Sequence, residues 1–300
     1  MQSISRGFSF LQQAWQMALK DRDLLKPSFY ALIAGFVVTI VGVAPLAAAA
    51  ILVGGDTSFG QGLMVVVGAL LLFAHYVVAY VFSGMTAYLI YGYIAEGDGR
   101  MDKAWGRVRA EFWNIAGLAA ASTLVSLIAR RLRRGGRSGA GASLLGGAFG
   151  GLLEAVWTEA SFLILPAMMI EDTNLAAGIK RAAQIAKGNL LLIGVGAVGV
   201  RWITGLIGFV LGVAGLALGL AVGYGLVSAL GAATGSLIVS IGLGALVFFA
   251  FVVAANFIGS YTMTAYHTCL FLWARDVEKA RAQGQSAPVA APAPLAAALA

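Results

Sequence analysis

Hydrophobic positions follow two regimes along the chain. Over residues 3–26, Ile4, Phe8, Leu11, Trp15 and Leu19 recur at helical spacing while Gln12, Gln13, Gln16 and Lys20 fill the other positions. That pattern describes an amphipathic helix that lies in a membrane interface rather than crossing it. From Pro27 onward apolar residues cover every helix face, over stretches that match or exceed the ~20 residues needed to span hydrocarbon. These stretches predict spans over 28–53, 62–93, 112–134, 143–170, from Ile203 to 230, and 237–273. The expected fold is an all-α, polytopic transmembrane helical bundle of about six spans with amphipathic interfacial helices.

Local signals set the boundaries. Pro27 suits the first turn of a helix, where a missing N–H costs nothing. Gly54-Gly55-Asp56 predicts a turn, and residues 101–112 and 174–188 read as further interfacial helices, the second placing Leu175, Ile179, Ala182 and Ile185 opposite Lys180, Arg181, Gln184 and Lys187. The apolar run Leu190–Leu230 is about 60 Å of helix, twice the hydrocarbon thickness, so a break is expected. Arg201-Trp202, a cation beside an indole, marks where. The organisation is therefore an interfacial helix over 1–26, a membrane domain over 27–282 and a disordered Ala- and Pro-rich tail over 283–300.

Composition narrows the class. Of 300 residues, 60% are hydrophobic and 11% charged, against about 25% charged in soluble proteins. The net charge of +7 is carried in short clusters between apolar runs, which points to anionic headgroups rather than nucleic acid. The polar start is too long for a secretory leader, and Cys269, being single, forms no intrachain disulfide.

Charge also orients the chain. Lys20, Arg22 and Lys26 before the first hairpin, and Arg100, Lys103, Arg107 and Arg109 after it, put both of its ends in the cytoplasm, and Arg275, Lys279 and Arg281 after the sixth span place the C-terminus there with the N-terminus. Lys180, Arg181 and Lys187 do the same for the end of the fourth span. This sends Arg130, Arg131, Arg133, Arg134 and Arg137 to the outside if the 114–170 hairpin crosses fully, whereas a re-entrant hairpin would keep them inside. Both arrangements stay open.

Two strings bring a resemblance. Trp15 followed by Leu19-Lys20-Asp21-Arg22-Asp23-Leu24-Leu25-Lys26-Pro27, and Trp157-Thr158-Glu159-Ala160-Ser161-Phe162 leading to Pro166 and Glu171, resemble a family of uncharacterised prokaryotic multi-pass membrane proteins. Ser161 stands where that family usually has Thr, and Glu159 where it has an apolar or small residue. The resemblance implies a bacterial inner-membrane setting and supplies no activity.

The polar residues inside apolar segments are the candidate functional ones: Glu154, Glu159, Arg201, His75 and Asn256. Glu154 and Glu159 lie about 140° apart around a helix and so do not form one carboxylate pair. They read as partners for Arg130–Arg134 or Arg201, as a proton or cation relay, or as groups exposed near the interface. His75 and His267 read as satisfied bundle residues and Asn256 as interhelical glue. Gly194-Val195-Gly196-Ala197-Val198-Gly199 fits a dinucleotide loop formally, but no acid follows at the required distance, so helix packing is expected. Glycines repeating every fourth residue, at 146/150, 147/151, 208/212 and 215/219/223, suit close helix approach within the chain or in a homo-oligomer. No cluster has metal-ligand spacing, no cofactor is implied, and catalytic strings are absent.

Two functions follow. The first is a non-enzymatic bundle that organises membrane lipids or partner proteins, with Arg130, Arg131, Arg133, Arg134, Lys180 and Arg181 as anionic-lipid contacts. The second is a small transporter or channel using Glu154 and Glu159.

Overall fold

The computed structural model describes residues 2–53, 57–134, 140–231, 233–284 and 289–299, with side chains described for these except 2–6, 49–50, 52–53, 58, 134, 140–145, 188–198 and 297–299. The turns expected at Gly54-Gly55-Asp56 and through Arg137, and the side chain of Arg134, lie outside the described residues.

Every described element is helical: α1 (Gln2–Lys20), a 3-10 turn (Arg22–Leu24), α2 (Lys26–Val53), α3 (Ser58–Glu96), α4 (Met101–Ala110), α5 (Phe112–Arg134), α6 (Ala140–Glu171), α7 (Leu175–Leu230), α8 (Thr234–Ala282) and α9 (Ala293–Leu299). Among the described residues six helices, α2, α3, α5, α6, α7 and α8, contain stretches long and apolar enough to cross a membrane, which makes this a multi-pass, all-α membrane protein. Pro27 sits in the first turn of α2, and α3 starts at Thr57, whose hydroxyl accepts from Gly60 N–H at 3.0 Å. It stops at Gly97, where φ of 81° needs the left-handed conformation that glycine tolerates.

Two expectations are corrected. The chain does not break near Arg201: α7 is one helix of 56 residues, and the expected interfacial segment 174–188 is its first part. No proline falls within it, and in hydrocarbon an opened backbone has no water to bond, so glycines alone do not end a helix there. The tail is not without structure either, because Ala293–Leu299 is helical and Leu295 is buried. Pro294 occupies its first turn, and alanine is the best helix former.

Contacts divide the chain into two units. One comprises Met1–Met17, Leu191–Tyr266 and Ala293–Ala300. Here Gly7 of α1 approaches α7 so closely that a Cβ would lie 2.9 Å from the Gly199 carbonyl oxygen. The third glycine of the Gly194–Gly199 string therefore marks a helix contact. Trp15 packs edge-on against Phe257 and Tyr261 and donates its indole N–H to Thr262 Oγ1 at 3.2 Å, and Tyr261 O–H donates to the Ala14 carbonyl at 3.0 Å. α7 meets α8 where Gly219 and Gly244 each place a virtual Cβ 2.6 Å from the other's carbonyl oxygen.

The second unit comprises Ala18–Leu190 and His267–Pro292. In it α3 packs against α2, α5 and α6, and α5 against α6. The α3–α5 register is antiparallel: Tyr80 reaches Ser122 and Tyr76 reaches Ser126, each at 2.7 Å, so four residues back on α3 match four forward on α5. The α5–α6 crossing is tight. A Cβ at Gly146 would lie 2.7 Å from the Leu132 carbonyl oxygen, and one at Gly150 2.6 Å from that of Ala129, whereas Gly147 and Gly151 face open space. The first glycine pair thus builds this bundle, and only the second is free to face another molecule or lipid.

Candidate functional site

The polar side chains of the second unit form ties between helices at several levels. Ser122, midway along α5, is a junction: it accepts the Trp157 indole N–H at 2.8 Å and donates its one proton to the Leu118 carbonyl at 2.9 Å. The Tyr80 hydroxyl at 2.7 Å must therefore be a donor to it. Ser161 donates to the Trp157 carbonyl at 2.8 Å. α3, α5 and α6 are thus linked through residues that carry no charge.

The two acidic residues of α6 diverge, as their helical angle requires. Glu154 forms an ion pair with Arg133 of α5. Glu159 Oε2 accepts from His267 Nε2 of α8 at 2.8 Å. His267 is fully buried and stacks on Phe162 at 4.6 Å between ring centroids, while the Glu159 side chain is 25% exposed. Nothing in the sequence pairs residues 159 and 267, which lie far apart in the chain; only the rarity of ionisable groups in apolar segments singled each out.

At the end of α6 nearest α4, the helix leaves carbonyls without donors one turn on. Arg107 of α4 closes two of them, donating to Met168 O and Met169 O at 3.0 Å each, and also pairs with Asp172 at 2.7 Å and Glu111 at 3.8 Å. Its guanidinium holds the Asp172 carboxyl below the usual carboxylate range. Among the described residues, Asp172 is also the non-glycine residue with a left-handed backbone, φ 57°, which turns the chain sharply from α6 into α7. Next to it, Arg181 Nε donates to Glu171 Oε2 at 2.9 Å, and its Nη1 meets Glu278 Oε2 of α8 at 2.5 Å. Burial alone would lower the Arg181 pKa, and its bonds to Glu171 and Glu278 more than reverse that, holding it above its ordinary value.

The remaining singled-out residues are placed as follows. His75 of α3 donates Nδ1–H to the Leu71 carbonyl at 2.9 Å and faces Thr39 Oγ1 of α2 at 3.0 Å. Asn256 does not glue helices together: it is exposed and donates to Val252 O of its own helix at 2.8 Å. Arg133 and Arg181, expected at lipid headgroups, are held by carboxylates instead. Lys180 is exposed. Arg201 and Trp202 are exposed on α7 and line an open groove of about 460 Å³ with Gly205, Leu206 and Phe209.

Arg130 and Arg131 differ from their neighbours. Both are exposed, and neither has an ion-pair or hydrogen-bond partner among the described residues. With Met64, Val65, Gly68, Ala69 and Leu127 they line a groove of about 600 Å³ between α3 and α5. Among the described residues, neither this groove nor the one at Arg201 is lined by an acidic residue. Among the described residues no three His, Cys, Asp or Glu side chains gather to hold a metal ion. Compared with known protein families and with curated proteins, the chain matches none.

Proposed function

We propose that this protein is a non-enzymatic bundle of the bacterial inner membrane, with both termini in the cytoplasm, that organises anionic lipids around its surface. The observation that carries this reading is the division of labour among its charges. Glu154, Glu159, Glu171 and Glu278 each bind a cationic or imidazole side chain of another helix, while Arg130 and Arg131, exposed and without an ion-pair partner among the described residues, lie beside apolar surface. At the α4–α5 elbow, Trp113 is 82% exposed and Phe112 and Trp105 are each 40% exposed, with the Arg109 guanidinium 5.4 Å from the Trp105 ring. Indoles beside cations suit the headgroup boundary of a bilayer.

The test is the lipid that accompanies the purified protein. Extracted in mild detergent, it is expected to carry anionic phospholipid at a higher fraction than the membrane it came from. A composition equal to that of the membrane would overturn the proposal.

A further inference from the structure

Arg130 and Arg131 combine three properties found together nowhere else among the described cations. They are adjacent on α5, they have no counter-charge among the described residues, and they open onto an apolar groove. The nearest acids in sequence are engaged elsewhere: Glu111 faces Arg107 at 3.8 Å, and Glu154 on α6 is bound to Arg133. Continuing the α3–α5 register sets Arg130 level with Leu72, so the groove wall at Met64 to Ala69 lies beyond the arginines, on the side away from α4. Both walls belong to segments apolar enough to cross a membrane. A water-soluble anion has no use for such a wall, and a hydrocarbon chain has no use for two guanidiniums.

We infer that this groove binds one anionic phospholipid, its phosphate held by Arg130 and Arg131 and its adjoining apolar portion laid against α3 and Leu127. This rests on the lipid-organising reading and names the ligand class and place for it. Guanidinium forks match phosphate oxygens in pairs. A zwitterionic headgroup would bring its own ammonium toward the two arginines and lose much of that attraction. Gly68 lines the groove and faces open space, where a Cβ would meet nothing within 4 Å.

The full-length protein in detergent is titrated with phosphatidylglycerol or phosphatidylcholine, and bound lipid is counted by native mass spectrometry. The wild type is expected to hold one phosphatidylglycerol in preference to phosphatidylcholine. Arg130→Gln with Arg131→Gln is expected to weaken that lipid about tenfold or more, the loss of charged hydrogen bonds. Gly68→Phe, which fills the groove without touching an arginine, is expected to do the same while leaving the unfolding temperature unchanged. Gly62→Phe, also in open space but outside the groove, is expected to bind as wild type. Unaltered binding in either the Gly68→Phe or the double Gln variant would overturn the groove. If these variants still co-purify with enriched anionic lipid, only the groove fails; if the wild type shows no enrichment, the lipid reading fails with it.

Discussion

Gly150 and Gly151 are adjacent on α6 and separate what the bundle needs from what it tolerates. Replacing Gly150 with Ala sets a methyl 2.6 Å from the Ala129 carbonyl oxygen and 3.0 Å from Arg133 Cγ. The first is backbone and cannot turn aside, so α5 and α6 must part by several tenths of an ångström, along an interface that also relies on Gly146 against Leu132. Overpacking of this kind costs about 1–3 kcal/mol, or roughly five- to 150-fold in the folded-to-unfolded ratio. Gly151→Ala meets nothing within 4 Å and gains the helix propensity of alanine, up to about 1 kcal/mol. Unfolding followed by circular dichroism, in one detergent for both variants, is expected to show Gly150→Ala well below wild type and Gly151→Ala at or above it. Equal midpoints, or Gly151→Ala the weaker, would refute the tight α5–α6 crossing.

Other consequences follow from the ties. Ser122→Ala leaves the Trp157 N–H and the Tyr80 O–H without their acceptor and is expected to cost about 1–3 kcal/mol in the same unfolding assay; adding Trp157→Phe should recover part of that loss. Arg181→Leu exposes Glu171 and Glu278 to each other, and with Glu278 41% exposed the expected loss is about 2 kcal/mol rather than the 3–5 of a fully buried pair. Asp172 has a folded pKa below its ordinary 3.8. Its pairing with Arg107 therefore stabilises fully above that value and is lost as pH falls through the lower, folded value. Asp172→Asn is expected to flatten the acid limb of a stability–pH profile below about pH 4 and to change its slope little at neutral pH.

The helices were legible because their signals are local. Pro27 marks the first turn of α2 through a backbone rule that holds whatever packs nearby, and the apolar runs exceed any soluble core element, whereas the caps at Thr57 and Gly97 carry α3 a few residues beyond the 62–93 expected at each end. Length alone misled at residues 190–230. A run twice the bilayer thickness must leave the hydrocarbon, yet nothing obliges it to stop being helical, and α7 continues. The pairings were less legible. A partner among Arg130–Arg134 was one of three readings the sequence left open for Glu154, and the choice of Arg133 depends on the α5–α6 register set by Gly146 and Gly150. His267 as the partner of Glu159 depends on where α8 passes α6, which no nearby residue encodes. The block running from Trp157 to Glu171 acquires its meaning only in three dimensions: Trp157 meets Ser122, Phe162 stacks on His267, and Glu171 holds Arg181.

The central claim is that the carboxylates within the spans tie helices together and carry nothing across. Ion flux in sealed proteoliposomes, measured with a pH-sensitive dye under an imposed proton gradient for wild type, Glu154→Gln and Glu159→Gln, tests it most directly. The account predicts wild-type flux equal to protein-free vesicles and a lowered unfolding temperature in both variants. Wild-type proton flux that Glu159→Gln abolishes, at unchanged stability, would contradict it and make the Glu159–His267 pair a transport site.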